Sequence, residues 1–154
     1  MGNRATLVFK NTPFIIQLQW NGGRDSIEGF LTYARLKKLY PGVLHSSETK
    51  WTDIAPFTRF TTILTNFFGN SGLHVYPLYY PPTVPTDPKF LNEICDGDNG
   101  TYLIENWQIV GRYGIPEGFQ EQNHHPLADF LRAVNNAHPE EDRLTEEQIS
   151  QLEK

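Results

Sequence analysis

The chain has one cysteine, one methionine and none of the familiar catalytic signatures, and each shortage excludes something. Cys95 stands alone among 154 residues, so no internal disulfide forms, and a reducing cytoplasm is the expected location. No stretch approaches the roughly 18–20 apolar residues of a membrane-spanning helix, so no membrane is expected as a partner. The N-terminus lacks the basic-then-apolar layout of a secretory signal. Gly-x-Gly-x-x-Gly and Gly-Lys-Ser/Thr are both missing, so neither a dinucleotide nor a triphosphate motif is present. Gly-x-Ser-x-Gly, His-Glu-x-x-His and paired catalytic carboxylates are missing too. No catalytic residue, metal site or cofactor is assigned, and the chain reads as a binder rather than an enzyme.

Positive charge is also in short supply. There are 13 Lys and Arg against 18 Asp and Glu, a net charge of −5. The imbalance is local. Through Pro116 ten basic residues meet nine acidic ones, whereas from Glu117 onward three meet nine. A basic groove for direct nucleic-acid contact is therefore not expected. The acidic segment from 117 reads as a solvated helical face.

Aromatics are plentiful, with ten Phe, seven Tyr and three Trp. They suffice for a core and leave some for a recognition surface. With 38% apolar and 20% charged residues, residues 1–154 read as one folded domain.

Ala5–Phe9 and Phe14–Trp20 read as strands joined in a hairpin through Asn11-Thr12-Pro13. Ile16, Leu18 and Trp20 alternate with Gln17 and Gln19, the period of a half-buried strand. Asp25 and Glu28 have the spacing of a capping box, and Ile27, Phe30, Leu31 and Ala34 then form one helical stripe. Gly29 inside that helix invites close packing by another element. The helix is expected to stop before Pro41-Gly42. A second helix, capped by Asp53 with Pro56 in its first turn, carries Phe57, Phe60, Ile63, Leu64, Phe67 and Phe68 and stops at Gly69-Asn70.

Leu73–Pro77 is a short strand. Residues 77–88 hold five prolines in twelve positions and read as an extended surface loop. Thr101–Ile104 and Trp107–Val110 flank Glu105-Asn106 as a hairpin. His125-Pro126 opens a helix striped by Leu127, Phe130, Leu131 and Val134, and Thr145 with Gln148 caps a last one. The expected fold is α+β: a mainly antiparallel sheet of about five strands with helices packed on one face.

Few residues suggest chemistry. Trp20-Asn21-Gly22-Gly23-Arg24-Asp25-Ser26 joins a strand to a helix, where free backbone N–H groups and the positive helix end can hold an anion. On that reading Trp20, Gly22, Gly23, Arg24 and Arg112 bind an anionic small molecule such as a nucleotide; on the plainer one the glycines make a tight corner and Trp20 anchors the core. Cys95-Asp-Gly-Asp-Asn-Gly100 resembles the start of a calcium loop, but Gly100 offers no side-chain oxygen at the fifth position. A turn leading into the next strand is the simpler reading, with an acidic loop of Asp96, Asp98 and His124 as a hydrolase alternative. His124-His125 has no ligand partner at metal-site spacing. His45, His74 and His138 are isolated. Met1–Thr6 fits the N-myristoylation pattern only through Gly2 and Thr6. Tyr79 and Tyr80, in the proline-rich loop, are the expected anchors for a protein partner.

Taken together, Met1-Gly-Asn-Arg-Ala5, Leu18–Ser26, Asn66-Phe-Phe-Gly69, Asp98-Asn-Gly-Thr-Tyr102 and Trp107-Gln-Ile-Val-Gly-Arg112 resemble a family of small uncharacterised proteins of bacteriophages and bacterial mobile elements. That family has a His before the Trp-Asn-Gly-Gly turn; Gln19 stands there here. The resemblance spans residues 1–113 in scattered form and implies no established activity. It implies a setting: a phage accessory protein that binds and inhibits a bacterial host protein, with CRISPR or other defence components among the expected targets. A nucleotide-binding sponge built on the Gly-Gly turn is the alternative.

Overall fold

The computed structural model describes residues 3–10, 12, 14–38, 55–77, 84–95, 98–114 and 126–153. β1 (Ala5–Phe9) and β2 (Phe14–Leu18) pair antiparallel, with Leu7 opposite Ile16. Thr12 holds their connection, donating from both its backbone N and its Oγ1 to the Phe9 carbonyl. β3 (Leu73–Pro77) adds antiparallel to the far side of β2. β4 (Thr101–Glu105) lies parallel to β1, and β5 (Gln108–Tyr113) closes the sheet antiparallel to β4. The order is β3-β2-β1-β4-β5. The fold is α+β and the sheet mixed, antiparallel except at its central pair.

Alternation along the strands decides what packs where. Ala5, Leu7 and Phe9 of β1 join Ile16, Leu18, Tyr102 and Ile104 in the main core. That face is covered by α1 (Arg24–Leu36), α2 (Ala55–Phe68), α4 (Leu127–Asn136) and α5 (Glu146–Ser150). Val8, Ile15 and Leu103 point the other way, into a smaller cluster with Val84 and Leu91. Leu91 belongs to α3 (Pro88–Glu93), which starts where the proline-rich stretch ends. Asp87 accepts a hydrogen bond from the Phe90 backbone N at 3.1 Å, and Pro88 occupies the first turn, where a missing N–H costs nothing. Both faces of β1 are thus covered, and all five of its residues are buried.

Three local features differ from the sequence expectation. α1 begins at Arg24 with Gly23 as its cap, so Asp25 sits in the first turn, and its carboxylate accepts from the Ser26 N at 2.8 Å. The buried face of α1 is wider than one stripe, taking in Ser26, Gly29, Thr32 and Tyr33, because the helix lies between the sheet and two other helices. The β4–β5 turn falls one residue late, at Asn106 (φ 52°) and Trp107 (φ 60°). Two successive positive φ values are the I′ geometry that matches strand twist. Trp107 accepts this unusual backbone because its ring is buried against Phe9 and Phe60 and its carbonyl accepts from Arg35 Nη1.

Leu127, expected in the buried stripe of α4, is 38% exposed, and Trp20, a candidate core anchor, is 44% exposed; several other expectations stand as read. Gly69 ends α2 at φ 66°, and Thr145 and Gln148 form a complete capping box on α5. Phe60, Ile63 and Leu64 are buried on α2, as are Phe130, Leu131 and Val134 on α4. Pro41-Gly42 and Asp53 lie outside the described residues.

Candidate functional site

Three places on the described structure gather features that could serve recognition. The first is the Gly-Gly turn. Gly22 is buried and presses against the start of β1: a Cβ there would lie 2.6 Å from the Asn3 carbonyl oxygen. Its N–H donates to that carbonyl at 2.8 Å, and its own carbonyl accepts from the Tyr102 hydroxyl at 2.8 Å. Gly23 caps α1, and its carbonyl accepts from the Ile27 N. Arg24 points to Glu28, Nε to Oε1 3.7 Å, across an exposed helical turn. Arg112 lies over the Tyr102 ring, 4.6 Å from its centroid, and donates from Nε to the Asn99 carbonyl. Tyr102 therefore brings Arg112 and Gly22 together, one at its ring and the other at its hydroxyl. In this arrangement the Gly22 N–H and the Arg112 Nε are both spent on the protein's own carbonyls.

The neighbouring Asp98–Gly100 turn is tied down in the same manner. Asp98 accepts from the Arg4 backbone N at 3.0 Å and from its Nε at 3.5 Å, and the Asn99 amide donates to the Arg4 carbonyl. These bonds hold the entry of β4 against β1. Tyr79, Tyr80, Asp96, His45, His124 and His125 lie outside the described residues.

The second place is the β3 edge. Among the described residues β3 pairs only with β2, so its outer row of backbone groups meets no other described strand. Val75 and Tyr76 are 40% and 46% exposed, and the His74 and Tyr76 rings stack with centroids 6.2 Å apart. Trp20, 44% exposed, lies across Gly72 just before the strand; a Cβ on Gly72 would come within 2.8 Å of its Cδ1. Sequence reading missed this surface because nothing local marks Leu73–Pro77 as an edge.

The third place is a cavity of about 420 Å³. Tyr33 and Lys37 reach it from the end of α1, and His138 and Asp142 from the chain beyond α4. Arg59, Thr62 and Asn66 line it from α2 at i, i+3 and i+7, one face of that helix. Lys37 Nζ donates to the Asp142 carbonyl at 2.6 Å. Arg59 is exposed and has no hydrogen bond or ion pair among the described residues.

His138 is the unusual member of the lining. It is buried, its ring packs 5.2 Å from that of Tyr33, and its Nδ1 is 2.8 Å from the Val134 carbonyl. A carbonyl only accepts, so Nδ1 carries a proton toward Val134. That Nε2 is buried and has no partner among the described residues. A buried polar atom left this way costs about 1–3 kcal/mol unless something meets it. Tyr33 is better served: its hydroxyl donates to Asn135 Oδ1 at 2.8 Å, and burial pushes its phenol above the ordinary tyrosine value. Sequence reading did not single out Arg59 and left His138 as an isolated histidine, because the cavity they share depends on tertiary packing.

No group of three His, Cys, Asp or Glu side chains assembles among the described residues. No described helix is long and apolar enough to cross a membrane. Compared with protein-family models, curated proteins and solved structures, the chain matches none.

Proposed function

We propose that this protein works by holding another protein: an accessory factor of bacteriophage or mobile-element origin that binds and inhibits a bacterial host protein, a defence component being the expected class of target. The observation that carries this reading is the β3 edge with Trp20, Val75 and Tyr76 exposed beside it. An edge strand offers unsatisfied ladder groups to an incoming strand, and flanking Tyr and Trp are favoured anchors at protein interfaces. The same exposure carries a risk of self-association, which partner binding would remove.

The test is an affinity measurement on a partner captured from host cells, identified by mass spectrometry and then purified. Replacing Trp20 and Tyr76 together by Ala removes two anchors, each worth about 2 kcal/mol if central to the interface. A loss of affinity of about a hundredfold or more is expected, along with loss of inhibition of the host protein. Val75→Lys places a charge on the edge and should weaken binding without altering the core. Tyr79→Ala with Tyr80→Ala tests whether the proline-rich segment shares the interface. Full affinity and full inhibition in the Trp20/Tyr76 double variant would refute the assignment to this edge.

A further inference from the structure

From the cavity between α1, α2 and the turn after α4, we infer a second binding site, independent of the β3 edge, for a small organic anion that also carries N–H donors. Two cationic side chains reach it from different helices, Lys37 from α1 and Arg59 from α2. Lys37 already has one contact, to the Asp142 carbonyl. Arg59 has none among the described residues, so its guanidinium is the group available to a carboxylate or phosphate.

A plain anion does not satisfy the rest of the lining. α1 ends at the Lys37 cap and α4 at the Ala137 cap, one residue before His138, so two carbonyl-bearing helix ends border the cavity. Those ends carry partial negative charge. Asp142 adds a carboxylate, and His138 lines the same cavity with a ring whose buried Nε2 has no partner among the described residues. Acceptors thus come from the α1 and α4 side, where Lys37 is already tied to the Asp142 carbonyl, whereas Arg59 comes from α2. The ligand that matches both is bifunctional, with an acidic group toward Arg59 on α2 and an amino or ring N–H toward Asp142 and His138. At about 420 Å³ the cavity sits near the small end of the roughly 300–1,000 Å³ range of ligand pockets. Nucleoside monophosphates and free amino acids both present this chemistry.

Amide and histidine ring 1H–15N spectra of the full chain, titrated with the four nucleoside monophosphates, with the acidic amino acids and with inorganic phosphate, test the assignment. One of the two organic classes should bind saturably, shift the His138 ring nitrogens and outcompete inorganic phosphate, and the class that binds identifies the source. Arg59→Gln, an exposed substitution that leaves the fold intact by amide spectra, should weaken that binding at least tenfold. Absence of saturable binding by every probe would overturn the inference. So would binding that Arg59→Gln leaves unchanged, or binding that never perturbs the His138 ring. None of these readouts involves Trp20 or Tyr76, so failure here leaves the β3 reading standing, and the reverse holds too.

Discussion

Consider Gly29→Ala. In the middle of an isolated helix this change is favourable, because Ala keeps more helix propensity by about 0.5–1 kcal/mol. Gly29 is not isolated. It faces α4 where Phe130 crosses α1, and a Cβ would lie 2.5 Å from Phe130 Cε1 and closer still to Cδ1. The ring has little room to retreat: Phe30 stands against it at 5.2 Å between centroids and Phe67 at 5.6 Å, and Phe130 is itself buried. Overpacking of this kind costs about 1–3 kcal/mol, more where the neighbour is a rigid ring. Taking the upper part of that range, about 2–3 kcal/mol, for this contact with a hemmed-in ring and subtracting the propensity gain leaves a net loss of about 1–2.5 kcal/mol. For a domain of this length that is a fall in Tm of several degrees, at about 2–4 °C per kcal/mol. Urea unfolding of the wild type, Gly29→Ala, Phe130→Leu and the double variant closes a cycle. Phe130→Leu frees space, so Gly29→Ala should cost at least about 1 kcal/mol less in that background. A Gly29→Ala variant as stable as the wild type, or more so, would refute the close-approach argument. So would costs that simply add.

Trp107→Ala should lose about 3–5 kcal/mol in the same unfolding assay, because the ring fills the core beside Phe9 and Phe60; a loss under about 1 kcal/mol would mean the turn, not the ring, holds that corner. Arg132 donates to Glu146 and Glu153, both at 2.6 Å, and its hydrogen bond to Glu146 holds that carboxyl below the ordinary glutamate value. A folded pKa below the unfolded one adds stability that is present above the unfolded value and fades as pH falls through the folded one. Wild type should therefore exceed Glu146→Gln in stability at neutral pH, with the gap closing in acid. A gap that does not change with pH would refute this linkage.

Much of the fold was legible because its signals are local. The Thr145–Gln148 capping box, the Gly69 stop and the two-residue alternation of β1 and β2 each depend on neighbours within a few positions. The misses share the opposite property. The Asp25 cap competed with Gly23, and the deciding contact is Gly22 against the Asn3 carbonyl, far away in sequence. Trp107 looked like a strand residue because strand propensity says nothing of a core pocket waiting beneath a turn. The Asp87-Pro88 start of α3 was a readable signal, overshadowed by the density of prolines before it. Of the candidate sites, the Gly-Gly turn was visible as a pattern, while the role of its glycine as a close-packed corner needed β1 and Tyr102 in place. The edge position of β3 and the presence of Arg59 and His138 in one cavity have no local signature at all.

The central parallel pair also governs how the molecule can come into being. β1 precedes its parallel neighbour β4, which begins only at Thr101, by more than ninety residues. While the chain is being synthesised, β1 and β2 can zip together, but one flank of β1 stays bare until β4 has been made. Contacts so distant along the chain carry a loop-closure penalty and tend to slow folding. An apolar strand left waiting is a natural target for chaperones or for other nascent chains. Slow acquisition of protease resistance, limited by the arrival of β4 rather than by the early hairpin, is the kinetic signature this topology should leave.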